Sequence, residues 1–238
     1  MNNSPLLLDS VSKNYSGINV LDNASLSLSA GEIFGLIGLN GAGKTTMIKI
    51  ILDLINKQDG SIQIFGNVKN NIESRSNISY LPEKFQPSRY LKGTEYLELS
   101  LAYYGKKLDK DKARKKAITL DLNPDVLDSK VGSYSKGMGQ KLGLVGAFLT
   151  DASFLILDEP MSGLDPRARI RLKNELISNK KLGKTIFFSS HILSDIDEIC
   201  DRIAILHEGS LHFIGTPAEF KQKTACDSLE QAFLKTIE

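Results

Sequence analysis

The sequence predicts an α/β fold: a mainly parallel sheet with helices on its faces, an antiparallel β subdomain towards the N-terminus, and an inserted helical subdomain. Three observations predict it. Phe154-Leu155-Ile156-Leu157, Thr185-Ile186-Phe187-Phe188 and Ile203-Ala204-Ile205-Leu206 are continuous apolar runs, the pattern of parallel strands buried on both faces. The first thirty residues alternate instead with a period of two, clearest in Ala24-Ser25-Leu26-Ser27-Leu28-Ser29, as half-buried antiparallel strands do. Between about residues 83 and 145 strand signals vanish and helical spacing takes over.

In chain order, the alternating N-terminal segments lead into the apolar stretch Ile33-Phe34-Gly35-Leu36-Ile37, a buried-strand pattern, and Met47, Ile48, Ile51, Leu52 and Ile55 then recur at helical spacing. Ser61-Ile62-Gln63-Ile64-Phe65 returns to the period of two and stops at the turn signal Gly66-Asn67, so it joins the antiparallel sheet. After Leu81-Pro82-Glu83 the helical insertion begins, with Thr94 as a candidate N-cap for a helix carrying Leu97, Leu101 and Tyr104. The lysine-rich segment 106–116 holds Asp109 and Asp111 among its bases and reads as a solvated helix face rather than a contact for lipid or nucleic acid. Tyr134-Ser135-Lys136-Gly137-Met138-Gly139 closes the insertion, and from about Ala218 the pattern is that of an amphipathic helical tail. The expected division is one domain, 1–238: an α/β core with its antiparallel β subdomain (1–82 and 146–220), the helical subdomain (83–145) and the tail (221–238).

Between the first buried strand and its helix lies Gly38-Leu39-Asn40-Gly41-Ala42-Gly43-Lys44-Thr45-Thr46, a phosphate-binding P-loop in the strand-loop-helix setting the motif requires. Its glycines let successive backbone N–H groups turn inward around a phosphate, the helix opening near Lys44 adds its positive end, and the ammonium reaches the β and γ oxygens. Thr45 is placed to ligate Mg²⁺ of a nucleoside triphosphate. Asp158-Glu159 stands at the carboxyl end of a buried strand, the edge at which open α/β sheets bind ligands. Asp158 would hold the metal opposite Thr45, leaving Glu159 to polarise an attacking water; by itself the pair could equally cap a helix.

Composition narrows the classes. The 41% hydrophobic and 24% charged content of 238 residues is globular, with chain enough for a large core, and a net charge of +2 argues against a dedicated nucleic-acid surface. Cys200 and Cys226, the only cysteines, have neither Cys-x-x-Cys spacing nor a nearby His, so a reducing compartment fits and a disulfide framework or zinc site does not. Apolar runs such as 142–149 fall short of the ~20 residues that cross a bilayer, and Met1-Asn2-Asn3-Ser4-Pro5 lacks a signal-peptide build. The chain by itself is expected to be soluble and cytoplasmic.

Four further elements, in order, make nearly the whole chain resemble the ATP-binding-cassette (ABC) family. Tyr134-Ser135-Lys136-Gly137-Met138 resembles the family signature Leu-Ser-Gly-Gly-Gln, and Ser162-Gly163-Leu164-Asp165-Pro166 resembles the D-loop. His191, after Phe187-Phe188-Ser189-Ser190, holds the switch-histidine position, and Tyr15 stands where the family stacks an aromatic ring on adenine. The resemblance implies a RecA-like P-loop NTPase core that binds ATP and Mg²⁺. It implies catalytic roles for Glu159, His191 and Lys44, and nucleotide contacts from Tyr15, from 40–46, and from Ser135, Lys136, Gly137 and Asp165. Since the P-loop already has its own helix for phosphate, a second anion cradle after Ser135 implies two chains sharing each ATP.

The sequence departs from the family pattern at two places. Glu83 follows Pro82 where the Q-loop glutamine normally stands, Gln86 being the weaker alternative; a carboxylate at 83 could still approach Mg²⁺ or its waters. Lys136 replaces the first signature glycine and Met138 the glutamine. These variants, with Ser189-Ser190-His191-Ile192-Leu193, resemble bacterial exporter-type cassettes. The implied partners are a transmembrane permease subunit, whose coupling helix would dock near exposed Phe85, Gln86, Pro87 and Tyr90, and a second cassette subunit, alike or related; the implied location is the cytoplasmic face of the cell membrane. The rival reading is a non-transport cassette acting on nucleic acid or ribosomes, but the coiled-coil or DNA-binding additions of one such class and the tandem cassettes of the other are missing. An ordinary P-loop kinase or GTPase would leave the signature-like segment and D-loop unexplained.

Overall fold

Ten strands form two sheets in the computed structural model, which describes residues 4–68 and 75–238. Strands β1 (Leu6–Tyr15), β2 (Ile18–Leu28), β4 (Asp59–Ile64) and β5 (Asn67–Val68) make an antiparallel sheet in the order β2-β1-β4-β5. The period-two alternation reads out directly, since Leu6, Leu8, Leu21, Leu26 and Leu28 are buried on one face. The β1–β2 hairpin turns at Ser16-Gly17, both at positive φ (50° and 90°), as the right-handed twist of paired strands demands.

The second sheet contains β3 (Ile33–Ile37), β6 (Ile78–Leu81), β7 (Phe154–Asp158), β8 (Thr185–Ser190), β9 (Arg202–His207) and β10 (Ser210–Gly215), in the order β10-β9-β3-β8-β7-β6. All of its pairings are parallel except β9 with β10. Its central strands β3, β7 and β8 are buried along their whole length because both faces are covered. Phe34, Leu36, Phe154, Ile156, Phe187 and Leu206 face helix α1 (Lys44–Ile51) and the antiparallel sheet, whereas Ile33, Ile37, Leu155, Leu157, Phe188 and Ile205 pack in the opposite core. The carboxyl ends of β3, β7 and β8 therefore open together, in adjacent register, at one edge.

Between β6 and β7 the described elements are helical: α2 (Gly93–Ala102), α3 (Lys110–Thr119), short 3₁₀ turns at Pro124–Asp128 and Val131–Ser133, and α4 (Lys136–Leu149). Helix α2 starts two residues earlier than the Thr94 cap implies, with Lys92 as its N-cap. The carboxylate of Glu95 accepts the Lys92 backbone N–H at 2.8 Å, so an acid in the first turn closes the end from within. The basic segment is a largely exposed helix face, as expected, with a few local pairs: Asp109 caps α3, Arg114 pairs with Asp125 and Asp128, and Lys116 pairs with Glu175.

Helix α4 runs unbroken through 145/146, where the sequence suggested a return to the core. Its last turns are anchored to β6: Ser79 Oγ donates to the Ala147 carbonyl at 3.1 Å, and Gly143 passes so close that a Cβ there would lie 2.6 Å from Leu81 and 2.9 Å from Phe85. Phe85 is consequently not the exposed docking aromatic the sequence suggested. It is half-buried against the core and meets Tyr96 edge-on, with ring centroids 5.3 Å apart, because α4 offers it a glycine-lined groove. Tyr90 is 86% exposed, as expected. Helices α5 (Pro166–Lys181), α6 (Leu193–Ile199), α7 (Pro217–Thr224) and α8 (Leu229–Ile237) complete the second core. Among the described residues no helix is long and apolar enough to cross a membrane.

Candidate nucleotide site

Where β3 ends, the chain turns through 38–43 and enters α1 at Lys44. Gly43, the N-cap, sits at φ +107° with no side-chain cap, so the first N–H groups of α1 remain available to an anion. A side chain there would meet the Val20 carbonyl at 2.6 Å, which is why glycine is required where β2 abuts the loop. The loop borders a cavity of about 280 Å³ lined by Val20, Leu39, Asn40, Gly41, Gly43, Lys44, Thr45, Thr46, Glu83, Lys84 and Glu159.

The register of the sheet assembles the acidic side of this cavity. Asp158, the last residue of β7, pairs with Ser189 of β8, whose hydroxyl donates to Asp158 Oδ1 at 2.5 Å and accepts the Glu159 N–H at 2.9 Å. Thr45 Oγ1 donates to Asp158 Oδ2 at 2.8 Å, bringing together two groups 113 residues apart. Burial pushes the Asp158 carboxyl above its ordinary range; the Ser189 and Thr45 hydroxyls pull it back, and the charges of Glu83 and Glu159 raise it again. Burial, then Asp158 and Glu83, hold the Tyr80 phenol up at about 12.

Glu159 is buried and stands at φ +50°, a left-handed conformation costly for a non-glycine residue. That turn aims its carboxylate back over the P-loop. Oε2 lies 2.8 Å from His191 Nδ1, and Oε1 faces Lys44 Nζ at 3.4 Å with no hydrogen bond. Lys44 donates to the carbonyls of Gly38 and Leu39 at 2.8 and 3.3 Å. A buried carboxylate thus joins an imidazole on one oxygen and an ammonium on the other, an arrangement able to hold a general base beside an anion site.

Other expected residues lie elsewhere. Ser135, Lys136, Gly137 and Asp165 do not line this cavity. Ser135 caps α4 by accepting the Met138 N–H at 3.2 Å, Asp165 caps α5 by accepting the Ala168 N–H at 2.9 Å, and the Lys136 stem lies against Gly163. Tyr15 is at the β1–β2 turn, half-exposed, with Lys13 Nζ 4.9 Å from its ring centre. The string Asn56-Lys57-Gln58-Asp59 has the spelling of a guanine-reading motif. It does not reach the cavity: Asp59 opens β4, and the Gln58 side chain bonds the Asn14 backbone. Sequence reasoning missed Val20, Ser189 and Lys84. Ser189 was recoverable from its place before His191, but nothing in the sequence singles out Lys84 beyond its adjacency to Glu83.

The residues fit Mg-ATP on structural grounds: uncapped helix N–H groups face the cavity, and a buried carboxylate with a raised pKa stands behind Thr45. Among the described residues no three His, Cys, Asp or Glu side chains form a ready-made metal cage.

Comparison with known proteins agrees with this geometry. A family model described as ABC transporter matches residues 21–162, a stretch that leaves Tyr15 and His191 outside it. An uncharacterised ABC transporter ATP-binding protein of Nostoc is 41% identical over 80% of this chain and 58% of its own length. The Nod factor export ATP-binding protein I of Sinorhizobium fredii is 34% identical over 94% of the chain and 66% of its own. The chain thus spans about three-fifths of the length of the first relatives it matches. A solved ATP-binding subunit of an ABC transporter superposes with a TM-score of 0.88 at 32% identity, covering 98% of this chain and 99% of that one. Family match, fold and site together make this chain a member of the ABC transporter family of ATP-binding proteins.

Proposed function

We propose that this protein is the ATP-binding and ATP-hydrolysing subunit of an ABC transporter, dimerising around ATP to power substrate export through a separate transmembrane permease at the cytoplasmic face of the membrane. The observation that carries hydrolysis is the contact of Glu159 with both His191 and Lys44 beside the Thr45–Asp158 pair. Lys44 and the open N-terminus of α1 hold the phosphates. Thr45, Asp158 and Glu83 would hold Mg²⁺, which when bound neutralises charge on the β- and γ-phosphates. Glu159 takes the proton of the attacking water, and His191 keeps its carboxylate aimed.

A composite dimer is supported by the position of Ser135 outside the cavity of its own chain, at the capped start of α4. Export is supported by a relative whose name assigns export to it. The protein's partners are accordingly the permease and a second cassette subunit, the latter a copy or a related chain.

Glu159→Gln tests the reading. It is expected to abolish turnover, keep ATP binding, and convert the protein to an ATP-dependent dimer seen by size-exclusion chromatography. Wild-type hydrolysis in this variant would remove Glu159 from the mechanism. A cysteine pair at Ser135 of one copy and the P-loop of another should crosslink only with ATP; a nucleotide-independent yield would remove the shared site.

A further inference from the structure

Lys84 is the one cation lining the nucleotide cavity that, among the described residues, has neither an ion pair nor a hydrogen bond. The other, Lys44, is already engaged by Glu159 and by two carbonyls of its own loop. Lys84 arrives on the loop that follows β6, directly after Glu83, and both residues border the cavity with the P-loop. The local charge balance gives it a task. Glu159 and Glu83 line the cavity and Asp158 stands behind Thr45, so three carboxylates surround a site meant for a polyanion. Where an amide at 83 would be neutral, Glu83 adds a negative charge that opposes phosphate entry.

We propose that Lys84 is a phosphate-contacting residue of this site, compensating the carboxylate of Glu83, so that the Glu83-Lys84 pair presents ATP with a neutral rim and draws the loop onto the bound nucleotide. This rests on the nucleotide-binding reading above. Such a residue acts on binding: a long lysine at the cavity mouth is a mobile counter-charge, sensitive to salt, and is no part of the proton-transfer group around Glu159.

The test is ATP affinity by calorimetry, in the nucleotide-free wild type and variants at two salt concentrations, with adenosine as the uncharged comparison. Lys84→Met should weaken ATP binding by about tenfold, flatten its salt dependence, and leave adenosine binding unchanged; Lys84→Arg should restore ATP affinity. Glu83→Gln placed on Lys84→Met should recover most of the loss, because the charge to be compensated is gone. Equal ATP affinity in Lys84→Met and wild type overturns the proposal, as does a Lys84→Arg protein as weak as Lys84→Met or an undiminished loss in the double variant. Thermal melts show whether any loss is one of folding. Lys44→Ala separates the two readings: if it too leaves ATP binding unchanged, the nucleotide site itself is misassigned, whereas loss with Lys44→Ala alone removes only Lys84.

Discussion

The imidazole of His191 stands 2.8 Å from Glu159, on the oxygen opposite the one that faces Lys44. The carboxylate is therefore held from two sides while its backbone is strained at φ +50°. Removing the imidazole frees the carboxylate to collapse onto Lys44. His191→Ala should lower kcat by about a hundredfold or more, in line with loss of a positioned acid–base group, with ATP affinity changed less than threefold. Single-turnover hydrolysis and equilibrium binding measure the two separately. A matched loss in both would mean that His191 supports the fold of the loop and not the chemistry.

Thr45 contributes through one hydroxyl. Thr45→Val keeps the shape of the side chain and deletes the donor to Asp158. ATP affinity in EDTA should stay within twofold of wild type, and the gain in affinity on adding Mg²⁺ should largely disappear. An undiminished Mg²⁺ effect would take Thr45 out of the metal's ligand set.

Asp158 is an acid whose burial raises its pKa, so the folded protein retains a proton over a pH range in which the unfolded chain has released it. The sign follows: this group's contribution to stability falls as pH rises from the ordinary carboxylate value of 3.8 through the raised folded one. Above both, the charged buried form is a standing cost. Asp158→Asn should therefore raise the melting temperature of the nucleotide-free protein at pH 7.5, by about 2–4 °C for each kcal/mol relieved, and the gain should shrink below pH 4. Thermal scans across pH without nucleotide check this. A lower melting temperature at pH 7.5 would mean that the Thr45 and Ser189 hydrogen bonds outweigh the desolvation.

Phe85 and Tyr90, five residues apart, should behave in opposite ways. Phe85→Ala opens a hole against Gly143 and Tyr96 and is expected to cost about 2–3 kcal/mol, less than a fully buried phenylalanine. Tyr90→Ala, at an exposed position, should stay within about 0.5 kcal/mol. Urea denaturation gives both values. Equal costs would contradict the burial of Phe85.

The legibility of this molecule in its sequence follows from where the information lies. The P-loop is contiguous, and its glycines, lysine and threonine carry geometry in their order, so residues 38–46 could be read without a fold. The pairing of Thr45 with Asp158 was also readable, because a strand end and a P-loop constrain each other across 113 residues. The loop after Pro82 was not. It has no period, so nothing in Glu83-Lys84-Phe85 says which residue turns to the nucleotide and which to α4; the glycine at 143 that receives Phe85 lies on another element. The place of His191 came from family resemblance and its contact with Glu159 from the structure alone, since no spacing rule predicts a handshake between the ends of neighbouring strands. Helix caps shared this limit: Ser135 and Asp165 serve their own helices in the structure, whatever else they meet in a dimer.

Helix α4 is held to Ser79 near its C-terminal end and by the close pass of Gly143 midway, and Gln140 donates to the Pro160 carbonyl at 3.2 Å nearer the start, where Ser135 stands. Fourteen residues make a rod about 21 Å long. A rigid bar hands on rotation without bending, and a tilt of about 5° about Ala147 would carry Ser135 through roughly 1.5 Å. The clamp is β6, whose next residues are Pro82, Glu83 and Lys84. Small movements of the loop beside the cavity would therefore be passed along the bar to the tip that would meet another subunit, and the hold of Gln140 on Pro160 sets how much of each stroke arrives.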